Sequence, residues 1–135
     1  MRTISTLFAA LLLLTAAASR AAEETMDVVT LPPAAGAEGT GYLDRARELV
    51  VQSLALLGVR YKFGGNTPER GFDCSGLVSH VFREVAGLVL PRNSQAMSKV
   101  GDKVEKNGLQ PGDLVFFNTR KRPFSHVGIY IGGQR

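Results

Sequence analysis

Hydrophobic spacing changes character once along this chain, and that change limits the folds open to it. From Tyr42 onward the apolar positions recur at threes and fours, the period of a helix with one covered face. Leu43, Ala46, Leu49, Val50, Leu54 and Leu57 form one such stripe, with Gly58 as its stop. Asp44 and Glu48 sit early in it, where the helix dipole favours negative charge. Leu77, Val78, Val81, Phe82 and Val85 form a second stripe that starts near Asp73 and closes at Gly87. A turn-rich loop, Gly64 to Gly71, separates the two, and a short polar segment from Ser94 to Val100 reads as a third helix. Past the turn Pro111-Gly112-Asp113 the pattern becomes continuous apolar runs, Leu114–Phe117 and Val127–Ile131, as in buried strands. Helices first and strands afterwards predict an α+β domain, its helices packed on a small antiparallel sheet.

The N-terminus carries a different signal. Met1-Arg2-Thr3 is a short basic start, and Ile4 to Ala18 holds no charge and is rich in Leu and Ala. Ser19-Arg20-Ala21 then puts small residues at −3 and −1 of a cleavage point, which completes the secretory pattern over residues 1–21. The uncharged stretch is shorter than the roughly 20 residues a membrane span needs, and no cysteine lies near the cut to take a lipid. The expected product is exported, periplasmic or extracellular, with no stable membrane anchor. Residues 22–41 are rich in Ala, Gly and Pro without a periodic apolar face, and read as a flexible tether. The remaining 42–135 suffice for one domain.

Charge excludes one partner class. The whole chain has 16 basic and 12 acidic residues, and loss of 1–21 removes Arg2 and Arg20 but no acid. The residual excess of two is too small to argue for nucleic acid. Arg120-Lys121-Arg122 sits between two strand runs beside Pro123 and reads as a solvated loop.

One cysteine, Cys74, and two histidines, His80 and His126, cannot build a cysteine-rich zinc site or a disulfide framework. In an oxidising compartment a lone cysteine is either buried and inert or kept as a reactive thiol. Its setting is Phe72-Asp73-Cys74-Ser75-Gly76. Asp73 suits an N-cap, which places Cys74 in the first helical turn, where unpaired N–H groups and the helix dipole favour a thiolate. Those N–H groups also point toward a developing oxyanion. Taken alone, a small buried cysteine accounts for the same residues. His80 lies six residues on, rotated about 240° and carried two turns away, so it is an unsuitable base for Cys74. His126 opens the second strand run, a place from which an imidazole can face a neighbouring helix N-terminus.

Five blocks in order carry a resemblance. They are Tyr61-Lys62-Phe63-Gly64-Gly65, Gly71-Phe72-Asp73-Cys74-Ser75-Gly76-Leu77-Val78, Leu90-Pro91-Arg92-Asn93-Ser94, Leu109-Gln110-Pro111-Gly112-Asp113-Leu114-Val115-Phe116-Phe117 and Ser125-His126-Val127-Gly128-Ile129-Tyr130-Ile131-Gly132. The set resembles the NlpC-type family of bacterial cell-wall cysteine peptidases over about residues 43–135. The resemblance implies a papain-like fold, Cys74 as nucleophile, His126 as base and Tyr61 as a hydroxyl near the nucleophile. It places Asp73, Ser75 and Arg92 along the substrate groove, with the alternative that Tyr61 and Arg92 brace the loops around it. It implies cleavage of the amide between γ-linked D-glutamate and a diamino acid in peptidoglycan stem peptides, with no metal or organic cofactor.

The resemblance also implies a third polar residue, commonly histidine, on the strand after the one bearing the base. That strand is expected just beyond Arg135, and two strands alone are too few for a stable sheet. The chain therefore reads as C-terminally incomplete, either a fragment of a longer enzyme or an inactive wall-binding or regulatory relative.

Overall fold

The structure, a computed structural model, describes residues 26–31, 40–119 and 122–133. The expected leader, most of 22–41 and part of the basic loop at 120–122 lie outside the described residues.

Helix α2, Cys74–Ala86, is built as its sequence dictates. Asp73 has an extended backbone and its carboxylate accepts the Gly76 N–H, while Gly87 closes the helix at φ 66° and donates to the Arg83 carbonyl. Its stripe buries Val78, Val81 and Phe82 against helix α1, Thr40–Ala55, and against the sheet. Helix α3, Ser94–Met97, is a single turn capped by Asn93, and drives Met97 completely into the core.

The sheet has four antiparallel strands, β1 Met26–Thr30, β4 Asp102–Lys103, β5 Leu114–Phe117 and β6 His126–Ile129, in the order β4-β1-β5-β6. Strands β2, Asn66–Thr67, and β3, Gly71–Phe72, form a separate small hairpin inside the loop before α2. In the large sheet Phe116 stands opposite Val127 and Leu114 opposite Val29. These four side chains join Leu49, Val78, Val81, Phe82 and Met97 in one core between helices and sheet. The same register sets Phe117 opposite His126, their rings 6.0 Å apart. The helices-on-antiparallel-sheet architecture is thus the one expected.

Two expectations need correction. Residues 22–41 are not all tether, because β1 lies within them and sits between β4 and β5 in the sheet. Val28 and Val29 are both buried, so β1 is covered on both faces and shows none of the alternation that marks a half-exposed strand. The α1 stripe is also covered only in part. Ala46 and Leu49 are buried where the helix meets its neighbours, whereas Leu43, Leu54 and Leu57 stay exposed among the described residues. Among the described residues no helix is long and apolar enough to cross a membrane.

Candidate active site

The start of α2 and the start of β6 meet at a groove of about 270 Å³, walled by Leu56, Val59, Tyr61, Asp73, Cys74, Leu77 and His126. Each polar group there is held by contacts that the surrounding loops supply.

Asp73 organises the nucleophile side. Its carboxylate accepts from the backbone N–H of Gly76 at 2.7 Å and of Gly64 at 2.9 Å, which joins the helix start to the preceding loop. Arg92 grips it with both terminal nitrogens, each at 3.0 Å, and reaches on to the Gly65 carbonyl at 3.2 Å. Ser75 Oγ donates to Asp73 and accepts from Arg92 at 2.9 Å. Desolvation pushes the Asp73 carboxyl upward, but Arg92 and the two N–H groups outweigh it and hold it below the usual carboxylate range. Of Asp73, Ser75 and Arg92, the groove wall includes Asp73; Ser75 is buried, and Arg92 is bound to the Asp73 carboxylate, the loop-bracing alternative for that residue.

The loop ahead of α2 approaches the helix backbone closely. A Cβ added to Gly76 would lie 2.1 Å from the Gly65 carbonyl oxygen, a main-chain atom with nowhere to go. Gly76→Ala is therefore expected to destabilise the fold by about 1–3 kcal/mol, although in an exposed helix interior the same change stabilises by about 1 kcal/mol. Urea unfolding checks the sign, and an unchanged or higher midpoint would show that the loop yields. The same loop carries Tyr61, whose pairing with Phe72 sets it beside the groove, and whose side of the groove is open: the residue is 66% exposed.

Cys74 is half-buried, with its sulfur in the first turn of α2. A hydrogen bond with the His126 side chain is the largest influence on the thiol and lowers it. Burial opposes this, while the backbone N–H of Val127, the charge of His126 and the N–H of Ser75 add to the lowering, and the net result lies below the ordinary thiol range. The main-chain contribution of Val127 was invisible to sequence reasoning, because any residue there supplies the same N–H.

His126 arrives from the β5–β6 connection, which is tightly tied. Asn118 Oδ1 accepts the Phe124 N–H at 2.8 Å, the Thr119 N–H donates to Ser125 Oγ at 2.7 Å, and Ser94 Oγ donates to the Phe124 carbonyl. Phe124 has φ 52°, a left-handed backbone that a bulky residue adopts only when its surroundings force it. Its ring meets Phe116 edge-on at 6.1 Å, which supplies the anchor. The other histidine, His80, packs 5.1 Å from the Phe72 ring and is absent from the groove wall. No group of three or more metal-binding side chains occurs among the described residues.

Residues 58–135 match the model of the NlpC/P60 family. The chain is 48% identical over 88 residues to the gamma-DL-glutamyl hydrolase of Bacillus subtilis, across 64% of this chain and 21% of that protein. It is 46% identical over 78 residues to the murein DD-endopeptidase MepS/murein LD-carboxypeptidase of Escherichia coli, across 58% of this chain and 40% of that one. Both matches span less than half of the relative's length.

Among solved structures, an NlpC/P60 family protein from Bacillus cereus superposes with TM-score 0.60 at 37% identity, over 65% of this chain and 29% of that one. RipD from Mycobacterium tuberculosis, described as a non-catalytic NlpC/p60 domain protein adapted to peptidoglycan binding, gives 0.59 at 30% identity, over 66% and 76%. The expected papain-like fold is the one these NlpC/P60 neighbours share. With more than half of its residues matched by the family model and its fold shared with solved members, the chain belongs to the NlpC/P60 family.

Proposed function

We propose that this protein is an exported peptidoglycan hydrolase that cleaves the amide between γ-linked D-glutamate and a diamino acid in stem peptides. The observation that carries this reading is the Cys74 thiol, pulled down by His126 in a groove open to solvent. The name of the Bacillus subtilis relative, a gamma-DL-glutamyl hydrolase, supports the choice of bond.

The chemistry follows from the placement of each group. The Cys74 thiolate adds to the γ-glutamyl carbonyl carbon, and the carbonyl oxygen takes the negative charge. Main-chain N–H groups at the start of α2 and the hydroxyl of Tyr61, which lines the same groove, are the donors available to that oxygen. The tetrahedral centre collapses as the C–N bond breaks, and the His126 imidazolium gives its proton to the departing amine. Neutral His126 then takes a proton from water, whose oxygen attacks the thioester. Release of the γ-carboxyl product restores the thiolate and the imidazolium. Asp73, Arg92 and Ser75 hold the helix start still throughout.

Digestion of purified muropeptides, followed by mass spectrometry, tests the proposal. The expected products are a stem fragment ending in a free glutamate γ-carboxyl and a fragment with a new diamino acid amine, both lost after the protein is treated with iodoacetamide. Retention of peptidoglycan without either product would assign this chain the binding role described for RipD.

A further inference from the structure

On the face of α2 turned away from Cys74 lies a cavity of about 160 Å³, lined by Ser79, His80, Arg83, Val89, Leu90 and Arg92 among others. At 100° per residue, Ser79, His80 and Arg83 stand roughly 140–240° around the helix from Cys74, so the cavity does not open into the catalytic groove. No acidic side chain lines it.

Three features give it a chemical preference. Ser79 Oγ is fully buried and has no hydrogen-bond partner, an unfavourable arrangement that rotation about χ1 can relieve by donating to an acceptor in the cavity. Arg83 forms a solvent-exposed ion pair with Glu84 at 3.3 Å and lies 3.4 Å from His80, both long contacts, so a carboxylate in the cavity competes with Glu84 for the guanidinium. Arg92 contributes a second guanidinium, already shared with Asp73. With Asp73 holding Arg92, displacement of the exposed Glu84 leaves one guanidinium charge, which suits a monoanion, and its planar shape suits a carboxylate. Exposed Val89 and neighbouring Leu90 supply an aliphatic side. The volume is below that of a drug-sized pocket and fits one residue-sized group.

We propose that this cavity is a second binding site, distinct from the Cys74 groove, for a carboxylate borne on a short aliphatic group. The source is either a small organic acid or the carboxyl end of a peptide, and the chemistry recognised is the same.

Titration of the protein with N-acetylalanine, N-acetylalanylalanine and N-acetylalanine amide, followed by NMR, distinguishes the outcomes. Both acids are expected to shift the Ser79 amide and the Arg83 side-chain signals and to saturate, and the amide to do neither. Arg83→Gln, an exposed change that leaves the core intact, is expected to weaken the acids about 10-fold. Tighter binding of the dipeptide assigns the site to peptide ends; equal binding assigns it to small acids. Blocking Cys74 with iodoacetamide is expected to leave these shifts in place. Equal responses to acid and amide, indifference to Arg83→Gln, or loss of binding after the thiol is blocked would overturn the proposal.

Discussion

Replacing Cys74 by alanine is expected to reduce muropeptide hydrolysis by about 10⁴-fold or more, to the detection limit, because the nucleophile and the acyl-enzyme both disappear. His126→Ala is expected to cost roughly 10²–10⁴-fold, the span associated with loss of a positioned acid–base group. Activity alone cannot separate the two roles, but the thiol can. In the parent protein the midpoint for alkylation of Cys74 is expected below the ordinary cysteine value of about 8.5. The hydrogen bond from His126 is the largest lowering influence, so its removal leaves burial opposed only by two N–H groups. The midpoint in His126→Ala therefore moves up, the thiolate fraction near neutrality falls, and alkylation slows there. A pH profile identical in both proteins would mean that the imidazole does not act on the sulfur, and the proposed chemistry would go with it.

The second large effect is expected at the first strand. Deletion of residues 26–31 removes β1 from between β4 and β5, together with the buried side chains of Val28, Val29 and Leu31. At about 1.5–3 kcal/mol for each buried aliphatic side chain, the loss is on the order of 5–9 kcal/mol. Whole domains of this size are stable by only about 5–15 kcal/mol. The shortened protein is expected to show no cooperative thermal transition by circular dichroism, and the muropeptide activity should vanish with it. A shortened protein that melts within a few degrees of the parent would show that β1 is dispensable to the fold.

The contrast between β1 and α2 explains what the sequence made legible. Helix α2 announces itself through a cap, a five-residue stripe and a terminal glycine, all local signals that the structure uses as written. Strands β5 and β6 are equally plain, since Leu114–Phe117 and the run after His126 are apolar and flanked by turns. Strand β1 has two adjacent valines between Met26-Asp27 and Thr30, and its identity depends on partners more than 70 residues away. Strand β4 is two exposed charged residues, Asp102 and Lys103, paired by main-chain bonds that carry no residue signature.

The site divides in the same way. Cys74, His126, Tyr61 and Asp73 could be picked out because side-chain chemistry or a motif marks them, and they line one groove. The Gly65 carbonyl and the N–H groups of Gly64 and Val127 could not, because backbone atoms become specific only after the chain has folded around them. Arg92 was visible as a residue, but its two readings, groove lining and loop brace, stayed open. Nothing in a string of letters tells whether a guanidinium faces a ligand or a neighbouring carboxylate.

The Arg92–Asp73 grip and the tied turn before His126 together have a further consequence. Sulfur and ring are carried by two pieces, one locked by residues 60–92 and the other by Asn118, Thr119, Phe124 and Ser125, which meet where α2 packs on β6 and where Ser94 binds Phe124. The chemical identity of each partner is thus settled inside its own piece, while their spacing is settled by how the pieces abut. Substitutions along that seam, such as at Ser94, would work as a throttle: they would alter turnover while the sulfur's helical setting and the imidazole's strand setting stayed as they are.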